Sequence, residues 1–364
     1  MDKRIENFKN RKKMKNSYRN FLTLLLIGLL LVPSINTFAG NKDRSGEAGA
    51  SELLINPWAR SSGWGGANVA SVRGLEAAYV NVAGVAFASK TEVGFTHTQW
   101  LVGSDITMYA VGFTQKVSET GVLAVNITSM SFGDIPITTT DNPEGNIGTF
   151  NPSYFIFAVS YAKIFSNSIY GGLSIKLVSE SISDLTATGV AIDAGIQYVT
   201  GPKDNVKFGI TLKNWGTSMS YKGDGLSIRT LLPGQNDQFT VEQRTATYEL
   251  PSQLLIGGGY DFLLPKDYRL SLSGTFVSNA FSKDQIVAGI EFSFKDLLII
   301  RGGYTYESDI INTNRTTVYT GPSFGATINV PFNKEVGSGF AIDYSYRDTN
   351  PWNGVHSIGI LLDF

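Results

Sequence analysis

Hydrophobic and polar residues alternate with a period of two along most of the chain beyond residue 90. In the last hairpin, Phe340, Ile342 and Tyr344 share one face, whereas Asp343 lies on the other. The alternation resumes after a turn and continues to the final residue, Phe364. This period is that of a β-strand. One face suits lipid and the other suits water, which favours a strand of a transmembrane β-barrel. For this hairpin alone, the alternative is a soluble antiparallel sheet.

The same pattern predicts fourteen strands. Their ranges are 92–100, 104–115, 121–130, 152–163, 168–180, 188–199, 205–215, 251–262, 268–277, 285–295, 297–306, 316–328, 336–346 and 355–364. Most are close to the ~9–11 residues that a tilted strand needs to cross the hydrocarbon core. We therefore predict an all-β fold, a transmembrane antiparallel β-barrel of about 14 strands, over residues 91–364.

Charged residues recur on the strand faces opposite the apolar ones. They are Lys176, Asp193, Lys207, Lys213, Asp261, Glu291, Lys295, Arg301, Glu307 and Asp343. A basic residue placed toward lipid near the midplane would cost about 2–4 kcal/mol. The sequence therefore predicts that these charges line the lumen.

Connection lengths support the same fold. We number the connections in chain order, starting with the one between the first and second predicted strands. The even-numbered connections are short, whereas the odd-numbered ones include the longer segments 131–151, 181–187 and 216–250. Short turns on one side and long loops on the other are typical of outer-membrane barrels, whose turns lie in the periplasm. Because the number of predicted strands is even, we expect both termini in the periplasm.

The amino-terminal residues are typical of a secretory signal peptide. A basic region that includes Lys12 and Lys13 precedes an apolar run, 21–32, that is too short to span a bilayer. A small-residue cleavage pattern ends at Ala39, so residues 1–39 are the predicted signal peptide, with Met14 as an alternative start. A retained anchor is the alternative interpretation. Without a later apolar helix, an exported chain crosses a membrane only as a closed barrel.

Residues 40–90 separate the predicted signal peptide from the predicted barrel. Residues 41–50 are polar and small, which indicates a periplasmic linker, and residues 53–88 are rich in Gly and Ala and contain Trp58 and Trp64. Small residues suit a segment packed against the inside of a barrel, and the two Trp side chains need burial. The alternative is a surface arm.

Composition argues against several function classes. The chain has no Cys, so no disulfide, thiolate metal site or thiol nucleophile forms, and its two His residues, His97 and His356, are far apart. The net charge of −1 gives no basic footprint for nucleic acid. Asp141 and Glu144 lie in a loop rich in Asn, Pro and Gly, and we interpret them as solvated turn residues. We predict no enzyme, no metal and no cofactor.

Two motifs stand in the Gly- and Ala-rich segment. The first is Ala-Arg-Ser-Ser-Gly-Trp-Gly-Gly-Ala at residues 59–67, and the second is Ala-Tyr-Val-Asn-Val-Ala-Gly at residues 78–84. Placed ahead of fourteen strands, they resemble the PorV/PorQ family of the FadL-like barrel superfamily. This chain has Trp64 where the wider group has Met, and Val82 where it has Pro.

The resemblance implies that this segment folds into the lumen as a hatch. The implied hatch residues are Trp58, Arg60, Trp64, Gly66, Tyr79, Asn81 and Gly84. The terminal Phe364 resembles the aromatic residue by which the barrel assembly machinery recognises its substrates. The family further implies a role in the type IX secretion system of Bacteroidota, with a large translocon barrel or the C-terminal signal domains of secreted cargo as partners.

Two functional hypotheses follow. A third possibility is a structural protein, surrounded by outer-membrane lipid, that has neither role. In the first, the barrel is a secretion component whose loops 216–250 and 131–151 contact a protein partner. In the second, it is a FadL-like channel for small hydrophobic compounds, which predicts a continuous apolar pocket between the hatch and the barrel wall.

Overall fold

The computed structural model of the chain describes residues 44–364, except 232, 235–236, 313–314, 316 and 334–337. The predicted signal peptide and the first residues of the predicted linker lie outside the described residues. No helix in the described part of the chain is long and apolar enough to cross a membrane.

Fourteen antiparallel strands close into one barrel, which confirms the predicted fold class. They are β1 (Thr91–Trp100), β2 (Ile106–Lys116), β3 (Gly121–Ser131), β4 (Ser153–Ile164), β5 (Ile169–Ile182), β6 (Leu185–Thr200), β7 (Val206–Gly216), β8 (Gln253–Leu264), β9 (Tyr268–Asn279), β10 (Gln285–Phe294), β11 (Leu298–Glu307), β12 (Tyr319–Asn333), β13 (Ser338–Thr349) and β14 (Val355–Asp363). Strand β14 pairs with β13 and with β1, so the sheet has no open edge.

The two faces of the barrel follow the sequence alternation. In β14, Ile360 is 47% exposed, whereas Ser357 on the other face is 1% exposed. The predicted apolar face therefore points outward, and the polar face is buried inside. One predicted lumen charge is misplaced: Lys295 is exposed in the turn after β10, because that strand ends at Phe294.

The connections sort by length between the two ends of the barrel. The connections from β2 to β3, β4 to β5, β6 to β7, β8 to β9, β10 to β11 and β12 to β13 lie at one end, here called the short-turn end. The longest ones, 132–152 and 217–252, lie at the other, the long-loop end. The predicted loop 181–187 is wrong: β5 and β6 extend to Ile182 and Leu185 and leave only a two-residue turn.

The remaining elements are short. The long loops contain two small ribbons, Ile135–Pro136 with Thr149–Phe150 and Ser227–Leu231 with Gln238–Glu242. Ahead of the barrel lie helix α1 (Ala59–Gly63) and helix α2 (Ala77–Val80). The 3₁₀ turns are Ser51–Leu54, Val82–Phe87, Asp224–Leu226 and Pro265–Asp267. We call residues 44–50 the strap and residues 51–90 the hatch.

The hatch lies among the inward-facing side chains of the wall. Its buried residues share one apolar cluster with Val122, Ala124, Ala162, Leu255 and Val287 of the strands. The chain enters β1 from the short-turn end, where the amide of Lys116 donates to the carbonyl of Lys90 at 2.8 Å.

The strap lies at the opposite, long-loop end. The Gly49 amide donates to the carbonyl of Glu249, in the 217–252 connection, at 3.1 Å. Arg44 pairs with the Glu249 carboxylate at 2.9 Å. Phe364 lies at the short-turn end, because its amide donates to the carbonyl of Thr91. The two ends of the described chain therefore do not lie on one side, contrary to our expectation for the mature termini.

Candidate functional site

Amide side chains join the hatch backbone to the wall. Gln197 of β6 donates through Nε2 to the carbonyls of Val69 and Val72, both at 3.1 Å. Asn81 of the hatch donates through Nδ2 to the carbonyl of Val69 at 3.0 Å and to that of Ile196 in β6 at 3.2 Å. The irregular hatch backbone cannot pair all its polar groups internally, so these bonds satisfy groups that burial would otherwise leave without partners.

Glycines in the wall allow the hatch to approach the strands closely. A Cβ atom on Gly209 of β7 would lie 2.6 Å from the carbonyl oxygen of Val69, and one on Gly172 of β5 would lie 2.8 Å from that of Val82. Both distances are shorter than a side-chain carbon tolerates. The hatch and the wall are thus complementary at the level of a single methyl group.

An arginine of α1 joins two carboxylates. Arg60 donates to both oxygens of Asp343 in β13, at 3.1 and 3.2 Å, and its Nε lies 3.5 Å from Glu76 of the hatch. Glu76 also accepts from the amide of Ser61 at 2.9 Å and from its hydroxyl at 2.5 Å. The hatch and the wall therefore share one buried ionic cluster.

The pKa values of this cluster follow from burial and charge. Burial raises the pKa of Glu76 above its ordinary value, and the nearby Asp343 charge adds to that, while Arg60 opposes both. Burial alone would lower the pKa of Arg60, but Asp343 and Glu76 together hold it above its ordinary value. Arg60 therefore stays charged, and Glu76 takes up a proton more readily than an ordinary glutamate does.

A second ionic group continues from this cluster along the wall. Arg301 of β11 donates to Glu291 of β10 at 3.0 Å and to the hydroxyl of Thr327 at 2.8 Å. Thr327 in turn donates to Asp343. The predicted lumen charges Glu291, Arg301 and Asp343 are thus brought together in one buried network with Arg60.

A β-bulge positions the third group of lumen charges. Pairing between β6 and β7 shifts register beside Asp193, so that Lys213 and Asn214 are both buried. Lys176 Nζ lies 2.6 Å from Asp193 and 2.6 Å from Asn214 Oδ1. Lys213 instead places its ammonium 3.6 Å from the centroid of the Tyr79 ring. Burial raises the pKa of Tyr79 well above its usual range, so its hydroxyl stays neutral.

The other residues singled out from the sequence lie as follows. Trp58 and Trp64 are buried, and Gly66 has a φ of 95°, a left-handed conformation that favours glycine. Gly84 is buried within the 3₁₀ turn Val82–Phe87. The side chain of Phe364 is exposed beside the start of β1.

Sequence reasoning missed three polar residues that hold the hatch. They are Glu76 and Gln197, described above, and Glu92 of β1, whose carboxylate accepts from the amide of Leu75 at 2.6 Å. The alternation places Glu92 and Gln197 on inward faces, which was an available signal, but it does not reveal their partners in the hatch. Within the described ranges, no group of His, Asp and Glu side chains is arranged to hold a metal ion.

Comparison with known families decides which group this barrel represents. The model of the family described as "Type IX secretion system protein PorV" matches residues 39–279, which include the whole hatch and strands β1–β9. The chain belongs to the PorV family. This confirms the resemblance found in the hatch motifs and establishes the protein as an outer-membrane β-barrel of a type IX secretion family.

Solved structures share the fold of this PorV-family barrel at low sequence identity. The CymD monoaromatic hydrocarbon channel has a TM-score of 0.55 at 12% identity, and the alignment covers 85% of this chain and 98% of CymD. The Pseudomonas putida toluene transporter TodX has a TM-score of 0.51 at 13% identity, with coverages of 81% and 94%. Comparison with curated proteins finds no match.

Proposed function

We propose that this protein is a barrel component of type IX secretion, exported with a signal peptide cleaved after about Ala39, with its long loops at the cell surface. It binds the translocon barrel or the C-terminal domains of secreted cargo and helps transfer cargo to the surface. The observation that carries the proposal is the family match, which spans the hatch and nine strands.

The close packing of the hatch in the lumen favours a protein that binds its partners at the loops rather than inside the barrel. Wall glycines such as Gly209 and Gly172 leave no room for even a methyl group against the hatch, and Arg60 ties the hatch to Asp343. An interior filled in this way suits a scaffold whose partners bind at the loops.

The loop 217–252 offers a suitable contact surface. Its ribbon, Ser227–Leu231 with Gln238–Glu242, exposes Ile228, Phe239 and Leu231, the last of which is 58% exposed. Exposed apolar side chains grouped on one loop mark protein-binding sites more often than isolated ones do.

Site-specific photocrosslinking in intact cells tests the proposal. We expect a crosslinker at Phe239, on the long-loop side, to capture a very large outer-membrane barrel or secreted cargo, identified by mass spectrometry. The matched control is Glu119, an exposed residue in a short turn, which should capture neither. Capture of no protein from Phe239, or of the same proteins from both positions, would contradict the proposal.

The channel hypothesis is the second candidate, and it has the shared fold in its favour, since CymD is a monoaromatic hydrocarbon channel. It predicts a continuous apolar pocket beside the hatch. A cavity of about 260 Å³ between hatch and wall is instead lined in part by Lys213, Glu307 and Arg347. Equal toluene uptake by intact cells with and without the protein would contradict the channel hypothesis.

A further inference from the structure

A groove lies open at the long-loop end of the barrel. The strap forms one side of it, and the other sides are the loop ends of β4 and β5 and the connections 132–152 and 217–252. This space, here called the outer groove, has a volume of about 520 Å³ and shares no lining residue with the cavity between hatch and wall. It is therefore a separate site, at the end of the barrel where we place the partners.

Two carboxylates line the outer groove without a countercharge. Glu180 of β5 is 9% exposed, Glu52 lies in the first turn of the hatch, and neither belongs to an ion pair formed by the described residues. A third carboxylate of the groove, Glu47, pairs with Arg44 instead. Within the described ranges, no Lys, Arg or His lines the groove. Burial raises the pKa of Glu52, and the nearby charge of Glu180 adds to that.

Two tyrosines of the 217–252 connection hold the Glu180 carboxylate in place. Tyr221 and Tyr248 both donate to its Oε2 atom, at 2.9 and 2.6 Å. Burial and the bond to Glu180 raise the pKa of Tyr221 to about 12 and raise that of Tyr248 as well, so both hydroxyls stay protonated and donate. Because both bonds use one carboxylate oxygen, the other is left to accept from a ligand.

A buried hydroxyl in the same groove also points to a ligand. Tyr154 of β4 lines the groove and is 1% exposed, and its hydroxyl has no hydrogen-bond partner in the described part of the chain. Burying a polar group without a partner is costly. Carboxylate and hydroxyl oxygens accept hydrogen bonds, and an ammonium group has three donors and no acceptor. Tyrosine rings attract such a cation further.

The strap offers main-chain groups beside these side chains. Ala48 forms a parallel bridge with Glu249, and the Gly49 amide donates to the Glu249 carbonyl along one edge of the strap. In an extended chain, the amide and carbonyl of Ala48 point to the opposite edge. They pair with no other main-chain group of the described residues. Since Ala48 also lines the groove, a peptide lying there can add to this edge as a further strand.

We propose that the outer groove binds an extended peptide segment of a partner protein through a lysine side chain, whose ammonium donates to Glu52, Glu180 and the hydroxyl of Tyr154. The groove holds about 17 waters at roughly 30 Å³ each, which is room for a lysine residue and a neighbour. The identity of the partner rests on the proposed role in secretion, whereas the chemistry of the groove does not.

Binding of a blocked Gly-Lys-Gly tripeptide to the purified full-length barrel, measured by calorimetry, tests the proposal. The matched ligand is blocked Gly-norleucine-Gly, which keeps the alkyl chain and lacks the ammonium. We expect saturable binding of one lysine tripeptide per chain. It should be at least about tenfold tighter than that of the norleucine tripeptide, because a charge-assisted hydrogen bond adds that much.

Variants separate the outer groove from other acidic sites. Glu52→Gln and Glu180→Gln should each weaken binding of the lysine tripeptide by at least about tenfold. Tyr154→Phe should weaken it about fivefold without lowering heat stability, because its hydroxyl has no partner among the described residues. Glu242→Gln removes an exposed carboxylate of the same connection that lies outside the groove, and it should change nothing.

Heat-dependent mobility on gels shows whether each variant forms a barrel, and if Glu180→Gln does not fold, Tyr154→Phe decides the question. Three results would overturn the proposal. These are equal binding of the two tripeptides, unchanged binding in the folded groove variants, and cadaverine binding as tightly as the lysine tripeptide, which would assign the groove to a free diamine. Because the assay uses the isolated barrel, its outcome is independent of the crosslinking test of the secretion role.

Discussion

At the scale of single residues, Arg60 is the contact that joins hatch and wall electrostatically. It lies between Asp343 of β13 and Glu76 of the hatch, and one guanidinium cannot neutralise both carboxylates. Asp343 accepts two hydrogen bonds from Arg60, one at each carboxylate oxygen. The negative charge of the buried Glu76 carboxylate is therefore compensated less completely. This explains why burial, with the nearby Asp343, raises the pKa of Glu76.

The raised pKa makes barrel stability depend on pH. The folded chain holds the Glu76 proton more tightly than the unfolded chain, so stability falls as pH rises from about 4.5 through the raised folded pKa. Glu76→Gln removes this pH-dependent contribution to stability, while the amide oxygen of the new side chain can still accept hydrogen bonds from Ser61. We expect a flatter pH dependence of the unfolding temperature and equal or higher stability at pH 8, where each kcal/mol corresponds to about 2 °C.

Glu47→Gln is the matched control for that measurement. Glu47 is an exposed strap carboxylate paired with Arg44, and exposed pairs contribute little to stability. Its variant should follow the wild-type curve. A Glu76→Gln curve with the wild-type pH dependence would show that Glu76 does not titrate as described.

At the scale of elements, the alternation in the sequence predicts the strands well. All fourteen form, because a period of two fixes which residues face lipid, and lipid strongly disfavours the polar face. The same period does not fix where a hairpin turns, so the extension of β5 and β6 through 181–187 was missed. The period of two also gives no sign of a register shift between strands. The bulge that buries both Lys213 and Asn214 was therefore not predicted.

Adjacent glycines in β11 test the fit between hatch and strand. A Cβ on Gly303 would lie 2.6 Å from the carbonyl carbon of Trp64, whereas one on Gly302 would meet nothing nearer than 3.7 Å. Gly303→Ala should therefore force the hatch away and cost about 1–3 kcal/mol of stability. Gly302→Ala should be neutral or slightly stabilising. Gel-monitored heat unfolding of the two variants makes the comparison.

The two glycine variants give a clear outcome either way. Similar unfolding temperatures for Gly303→Ala and Gly302→Ala would mean that the hatch is not in contact with β11. The comparison is well matched, because both substitutions add one methyl group to neighbouring positions of the same strand.

At the scale of the whole molecule, the chain crosses the lumen before it builds the wall. The strap pairs with Glu249 at the long-loop end, and Lys90 meets Lys116 at the short-turn end, so the hatch spans the distance between them. Counting strands predicted both termini on one side. That argument fixes only the ends of the wall, since it does not account for a segment that first passes through the barrel.

The interior was predictable in kind but not in detail. Charges such as Lys176, Asp193 and Arg301 lie inside, as their positions opposite apolar faces require. Their pairing depends on contacts across strands and with the hatch, as between Arg60 and Asp343, which are distant in sequence. The family resemblance, rather than the alternation, was what implied a lumenal hatch.

A disulfide between hatch and wall tests the central claim, that the hatch lies inside a closed barrel. A Cβ on Gly359 of β14 would lie 3.6 Å from that of Ala59 in α1, within the usual separation for a disulfide. The natural chain has no Cys, so an Ala59→Cys/Gly359→Cys variant contains only the designed pair. The control, Ala59→Cys/Ala187→Cys, places the second thiol on β6, in a different apolar cluster from the hatch helices.

The measurement is the fraction of chains that carry the disulfide after export, read by mass spectrometry with and without reductant. We predict near-complete linkage between residues 59 and 359 in the folded barrel and none in the control. Free thiols at both positions of a folded Ala59→Cys/Gly359→Cys barrel, or equal linkage in the control, would contradict a hatch seated against β14 inside the lumen.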